Sequence, residues 1–228
     1  MTTGGPELAH FAALFADSTR ASFLITLLDG RARTASELAR IAGVAPSTAS
    51  DHLTQLVAGG LLAEERQGRW RYVRLSGHSA AHLVEEMQAL AAPARSATTL
   101  RDNTAYTAMA RARTCYDHVA GRLGVQLADA LIGSGLVDRD GGPALTRSGL
   151  TWLAHLGADV PALQRAQRPM LRDCLDWTER RPHLAGSVGA AMCTYFFDAG
   201  WIERIGSQRA VRITSDGQRQ FAELGVAV

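Results

Sequence analysis

Residues 34–77 read TASELARIAGVAPSTASDHLTQLVAGGLLAEERQGRWRYVRLSG, and this stretch decides the fold. A short amphipathic helix comes first, over residues 36–42. A turn at Gly43 follows. Pro46 then opens a second helix, because its missing N–H costs nothing at a first helical position. That helix ends at Gly59-Gly60, with Leu53, Leu56 and Val57 on its core face. Leu61-Leu62-Ala63 starts a strand. Arg66-Gln67-Gly68-Arg69 forms a hairpin tip, and Trp70, Tyr72, Val73 and Leu75 mark the returning strand. The parts make a winged helix-turn-helix. The second helix suits the major groove of duplex DNA, and the basic hairpin suits the flanking backbone.

Working outward, residues 6–16 form a helix with Leu8, Phe11 and Phe15 on one face. Asp17-Ser18 break it and cap a second helix over 19–28, which stops at Asp29-Gly30. Thr34 or Ser36 caps the third. After the wing, residues 78–92 form an amphipathic helix whose stripe is Leu83, Met87, Leu90 and Ala91. Ala92-Pro93 ends it, and Arg95 to Thr99 reads as a linker. The expected domains are 1–92, for DNA binding and dimerisation, and 100–228, for effector binding and further dimer surface.

The second half carries a weak repeat. Gly124 to Gly135 is followed by LVDRDGGPALTRSG and a short helix, and Gly189 to Gly200 by WIERIGSQRAVRITSDG and another. The expected fold is therefore mainly α: a winged helix-turn-helix, then a helical half with short β-hairpins resembling degenerate winged helices.

Bulk composition narrows the class. With 228 residues the chain exceeds one small DNA-binding domain, and 46% apolar content suits a globular core. The net charge is only +2, but clustering matters more than the total. All 24 basic residues are arginine. The guanidinium fork favours phosphate and guanine, but with many Ala and Gly beside it the bias reads more strongly as GC-rich coding. Residues 1–10 lack the pattern of a signal peptide, and no apolar run nears the roughly 20 residues that span a bilayer. Three widely spaced cysteines argue against a disulfide framework, so the chain is expected in the cytoplasm, with no membrane partner.

Three segments, LFADSTRASFLITLL at 14–28, ELARIAGVAPSTASDHLTQLVAGGLL at 37–62 and GRWRYVRL at 68–75, resemble the ArsR/SmtB family of bacterial transcriptional repressors in order and spacing. The resemblance covers the first 92 residues. It implies a homodimer on a palindromic operator, with the first helix and the helix of 78–92 at the dimer interface, and release of DNA on ligand binding. The chain departs from the family's metal sensors. The helix before the recognition helix, SELARIAG, has no cysteine, and His78, His82, Glu85 and Glu86 give only part of the other known set, so they read as a solvated surface. The words ARTCYDHVAGRLGV at 112–125 and DWTERRPHLAGSVGAA at 176–191 resemble a C-terminal extension of some longer relatives.

Candidate DNA contacts are Ser47, Thr48, Ser50, Asp51, His52 and Gln55 on the second helix, and Arg66, Arg69 and Arg71 on the wing. Ser and Thr at a helix N-terminus suit phosphate, Gln55 suits adenine and His52 guanine. Asp51 accepts from a cytosine amino group or pairs locally. The wing arginines suit the backbone or minor groove.

Candidate effector residues are Cys115 and His118, read at i, i+3 on one helix, with Cys174, Trp177 and His183 brought near by the fold. A metal, a heme or a small organic effector stays open, and no residue is assigned as a metal ligand. Cys193, in an apolar run, reads as core. The later aromatics with Arg180-Arg181 read as a core or as an anion pocket. No nucleophile elbow, phosphate loop or zincin motif occurs, so no enzyme is expected. The expectation is a sequence-specific dimeric repressor. Its alternatives are an architectural DNA binder and a winged helix that binds proteins.

Overall fold

The computed structural model describes residues 4–91, 100–206 and 209–227, and the linker read at Arg95 to Thr99 lies outside them. The chain divides into two compact units, residues 1–85 and 86–228.

In the first unit, α1 (Gly5–Ala13) stops three residues before the expected end, and Leu14 and Phe15 turn back onto Phe11 and Ala12. Asp17 then accepts a hydrogen bond from Arg20 N (2.9 Å) as the N-cap of α2 (Ser18–Leu27). A two-residue strand, β1 (Arg33–Thr34), was not legible from pattern because it is too short to show alternation. Thr34 also caps α3 (Ala35–Ala42) in a reciprocal box. Glu37 N donates to Thr34 Oγ1 (3.3 Å), and Thr34 N donates to Glu37 Oε2 (2.7 Å). Gly43, at φ 69°, supplies the left-handed residue that ends α3 and sets up α4 (Pro46–Ala58).

The wing is β2 (Leu62–Gln67) and β3 (Trp70–Leu75), antiparallel, with Gln67 opposite Trp70 and only Gly68-Arg69 at the tip. Gly68 at φ 59° fits that two-residue loop. β1 pairs the other edge of β3, so the sheet order is β1-β3-β2. Phe23, Leu24, Leu27, Leu38, Leu53, Leu56, Leu61, Val73 and Leu75 are buried between helices and sheet. Each such side chain contributes about 1.5–3 kcal/mol. α5 (His78–Leu90) follows.

The second unit opens with α6 (Leu100–Arg111) and then runs the same series twice. The first copy is the hairpin β4 (Arg113–Cys115)–β5 (His118–Ala120), helix α7 (Gly121–Gly133), hairpin β6 (Val137–Asp138)–β7 (Ala144–Leu145) and helix α8 (Arg147–His155). After α9 (Val160–Arg165) comes the second: β8 (Arg172–Leu175)–β9 (Pro182–Ala185), α10 (Gly186–Asp198), β10 (Ile202–Arg204)–β11 (Val211–Ile213) and α11 (Ser215–Glu223).

Local details repeat too. Thr146 and Thr214 cap α8 and α11, accepting from Gly149 N and Gly217 N at 3.0 Å each. Their hydroxyls donate back to Gly135 O (2.8 Å) and Gly200 O (2.7 Å). The two helix–hairpin–helix units match the sequence reading, whereas the hairpins leading each copy were not foreseen. α7 and α10 lie in the core with Leu123, Leu127, Leu131, Val188, Met192 and Phe196. Tyr195, Phe196, Trp201 and Phe221 stack there edge to face and face to face, which makes these aromatics core. Cys193 is buried among them. Among the described residues no helix is long and apolar enough to cross a membrane.

Candidate functional site

α4 begins without a side-chain cap, because Ala45 has none to offer. The first-turn N–H groups of Ser47 and Thr48 therefore keep no intrahelical acceptor. Ser47, Thr48, Asp51 and Gln55 are exposed, and Ser50 is half-buried. His52 differs from them. Its ring lies edge-on to Phe23 at 6.5 Å, and its Nδ1 is 3.3 Å from Arg20 Nη1 and 3.9 Å from Asp17 Oδ1.

Arg20 acts as a clamp on this helix. Its Nε donates to Leu14 O (2.8 Å), its Nη2 to Ala13 O (2.8 Å) and its Nη1 to Gln55 Oε1 (2.9 Å). One guanidinium thus joins the end of α1 to two of the candidate base-reading side chains.

The wing arginines are exposed or nearly so, and each has an intrachain partner. Glu64 accepts from Arg66 Nε (3.1 Å) and Arg71 Nε (2.7 Å), which holds its carboxyl below the usual range. The Arg69 guanidinium lies over the half-exposed Trp70 ring at 5.1 Å. On α5, Glu85 is buried and His82 half-buried, so only His78 and Glu86 fit the solvated surface expected there.

Within the second unit four candidate residues meet. Cys115, His118, Cys174 and His183 are at most 4% exposed, and their donor atoms all lie within 4.8 Å of one another. Cys115 and His118 do not share a helix. They are register partners across the β4–β5 hairpin, as Cys174 and His183 are across β8–β9. The helical expectation fails because Tyr116 takes a left-handed conformation (φ 55°) and turns the chain within two residues.

The His118 and His183 Nε2 atoms face each other at 3.1 Å, with the rings stacked at 5.0 Å. Behind each ring sits a carboxylate. Asp117 Oδ1 is 3.4 Å from His118 Nδ1, and Asp176 Oδ2 is 3.5 Å from His183 Nδ1. Each carboxylate is held by an arginine: Arg168 donates to Asp117 (2.6 Å), and Arg113 donates to Asp176 (2.8 Å).

Environment sets the protonation. A hydrogen bond with Cys174, followed by burial, pushes the Cys115 thiol up to about 12. Burial, then His118, pushes His183 well below the usual imidazole range. Against burial, His118 and Arg168 hold Asp117 at about 2.

Trp177 stands apart from the cluster. Its ring covers the Arg113 guanidinium at 4.8 Å and meets Tyr106 edge-on at 5.6 Å. None of the four lines the small cavity of about 10 Å³ between Val119, Gly124, Leu184 and Gly189, which is itself too small for a heme or an organic effector.

Asp117, Asp176 and their arginines were not singled out from sequence. The signal that carries the two aspartates and Arg113, though not Arg168, is a doubled word. Arg113-x-Cys115-x-Asp117 leads directly into His118-Val-Ala-Gly121-x-Leu-Gly124. Arg172-x-Cys174-x-Asp176 leads, after a longer hairpin, into His183-Leu-Ala-Gly186-x-Val-Gly189.

A family model described as a helix-turn-helix domain matches residues 15–65. An uncharacterized HTH-type transcriptional regulator of Bacillus subtilis (strain 168), YdfF, is 37% identical over 217 residues, covering 95% of this chain and 96% of that protein. The chain belongs to the HTH-type transcriptional regulators.

Solved structures of similar proteins include the homodimeric winged helix-turn-helix DNA-binding domain of Mb0332 from Mycobacterium bovis. It is 26% identical, covering 40% of this chain and 86% of that one, with a TM-score of 0.35. HlyU from Vibrio cholerae N16961 is 22% identical, covering 41% and 100%, with a TM-score of 0.37.

Proposed function

We propose that this regulator is a homodimeric, sequence-specific repressor that occupies a palindromic operator in the cytoplasm and leaves it when an effector acts through its second half. The observation that carries the reading is the uncapped start of α4, with Ser47, Thr48 and Asp51 exposed and Gln55 oriented by Arg20. Ser47 and Thr48 meet phosphate and base edges, Ser50, Asp51, His52 and Gln55 read onward along the groove, and Arg66, Arg69 and Arg71 leave Glu64 and Trp70 for the backbone.

Dimerisation supplies the second recognition helix. It is supported by apolar surface on the two helices that the family resemblance assigns to the interface. α1 buries no residue and leaves Leu8 69% exposed, while Leu90 on α5 is 77% exposed. A two-fold dimer reads half-sites about 34–36 Å apart. The effector must bind the released geometry better than the bound one, since equal affinity shifts nothing. The reading contains no catalytic step.

The test is a titration of labelled DNA from upstream of the protein's own gene, with excess competitor, against wild type and Ser47→Ala/Thr48→Ala. Both substitutions sit on exposed side chains, so folding is preserved. Each lost contact costs about 1–3 kcal/mol, and two contacts in each of two half-sites make at least about 4 kcal/mol, so the variant should bind about a thousandfold more weakly or worse. Binding that competitor abolishes and the variant leaves unchanged would refute sequence-specific recognition by α4.

A further inference from the structure

We propose that Cys115, His118, Cys174 and His183 form a closed, tetrahedral site for one zinc-class ion, which ties the two repeat copies of the second unit together. The inference stands apart from operator binding, because every observation behind it lies within residues 86–228.

The donor set comes first. Two thiolate sulfurs and two imidazole nitrogens in a tetrahedron select zinc-class ions. Bonds of about 2.0–2.1 Å to nitrogen and about 2.3 Å to sulfur give tetrahedron edges of about 3.3–3.8 Å. The Nε2–Nε2 separation here is 3.1 Å, and all donor separations fall within 4.8 Å. Closing the widest donor separation to a tetrahedron edge takes side-chain torsional shifts of up to about 1 Å.

The outer groups fit the same ion. Metal-bound histidine ordinarily presents its second ring nitrogen to a carboxylate. His118 does so toward Asp117, His183 Nδ1 lies 3.5 Å from Asp176 Oδ2 without yet forming the hydrogen bond, and both carboxylates are pinned by arginine. With Nδ1–H groups toward those carboxylates, the two Nε2 lone pairs point at each other across 3.1 Å. A cation between them turns that repulsion into two bonds.

The backbone is built for the approach. A Cβ at Gly124 would stand 2.5 Å from Val119 O and 3.4 Å from His183 Cβ, and one at Gly189 would stand 2.8 Å from Leu184 O and 3.3 Å from His118 Cβ. Each glycine thus lets its helix close on the carbonyl of its own hairpin, which sets the spot against the other copy's histidine Cβ at contact distance. No ligand comes from α3 or α5, and burial leaves no coordination position for a substrate, so the ion is a resident staple.

The full-length chain, prepared under reducing conditions without chelator, should carry one zinc per chain through dialysis. After metal removal, Co²⁺ should give the strong visible bands of a tetrahedral site with thiolate-to-cobalt charge transfer in the near ultraviolet. Cys174→Ala and His118→Ala should lose both the zinc and that spectrum, whereas Cys193→Ala, which removes the thiol outside the cluster, should keep them. Should the ligand variants lose their circular dichroism, the wild-type stoichiometry and cobalt spectrum decide by themselves.

Folded wild type without stoichiometric zinc or cobalt, an octahedral spectrum lacking charge transfer, or a Cys115–Cys174 disulfide in the reduced preparation would each overturn the site. Loss of operator binding with zinc retained bears only on the repressor reading.

Discussion

Replacing Asp176 by asparagine tests the anchor behind the cluster. Asp176 and Arg113 both have fully buried side chains, 2.8 Å apart. Asp176 Oδ2 accepts from Arg113 Nη2 and from Gly121 N (2.7 Å). Oδ1 accepts from Thr178 N (2.9 Å), Thr178 Oγ1 (2.6 Å) and Glu179 N (3.1 Å). Asparagine keeps the shape but turns one acceptor into a donor. Whichever way the amide lies, its NH₂ meets at least two donors, and Arg113 is left as a buried cation without a counter-charge.

Breaking one side of a buried pair costs about 3–5 kcal/mol, and a unit of this size loses about 2–4 °C per kcal/mol. The thermal transition of metal-stripped protein, followed by circular dichroism, should therefore fall by about 6–20 °C. Arg113→Met with Asp176→Leu removes both charges and should recover most of the loss, since a buried pair replaced by apolar groups of similar volume is often neutral. A loss under about 1 kcal/mol in Asp176→Asn, the range of exposed pairs, would show that water reaches the site and refute the reasoning. A double variant no better than the single would assign the damage to packing instead of charge.

Two further outcomes concern the winged helix. Arg20→Ala removes three hydrogen bonds of the clamp and should destabilise the first unit by about 1–3 kcal/mol, and operator affinity measured well below the melting temperature should drop about fivefold as Gln55 and His52 lose their support. Unchanged affinity would show that the clamp is structural only. Glu64→Gln releases Arg66 and Arg71 from their shared carboxylate, so DNA affinity should rise and the slope of log K against log salt should steepen by up to about 2 per chain. An unaltered slope would place those arginines away from the DNA backbone.

Legibility differed between the two halves for a physical reason. The winged helix was readable because its signals are local. Thr34 and Glu37 box a helix three residues apart, Pro46 opens one, Gly43 and Gly68 turn the chain, and Leu53 and Leu56 keep helical period. β1 escaped notice because two residues carry no period, and its partner, Val73 opposite Arg33, is distant in sequence. The second half was readable as far as glycine-punctuated hairpins and helices. Cys115 and His118 satisfy an i, i+3 helical spacing and a tight hairpin equally well, and only the left-handed Tyr116 decides between them. No residue-type preference announces a left-handed tyrosine, so the sequence pattern pointed to the commoner element.

The cluster itself was legible in a form that periodicity does not test. Arg-x-Cys-x-Asp occurs at 113–117 and at 172–176, and each is followed by His-x-Ala-Gly-x-x-Gly, but with no residue between Asp and His in the first copy and six in the second. The unequal insertion hides the repeat from any fixed interval while leaving the chemistry intact. A hairpin tolerates added residues beyond its paired strands as long as the strand register is kept, and within that register Cys115 pairs His118 at the turn and Cys174 pairs His183 one pair short of it. Everything that must stay constant does so: the cross-strand pair, the carboxylate two residues after each cysteine, and the glycine that lets each helix close on its own hairpin beside the other copy's histidine. What varies is the tip, where the longer hairpin adds Trp177, packed on the Arg113 guanidinium, and a left-handed Arg180. The repeat is thus defined by what converges on one point in space, and the glycines that made half of it visible in sequence are the residues that let each core helix close on its own hairpin beside that point.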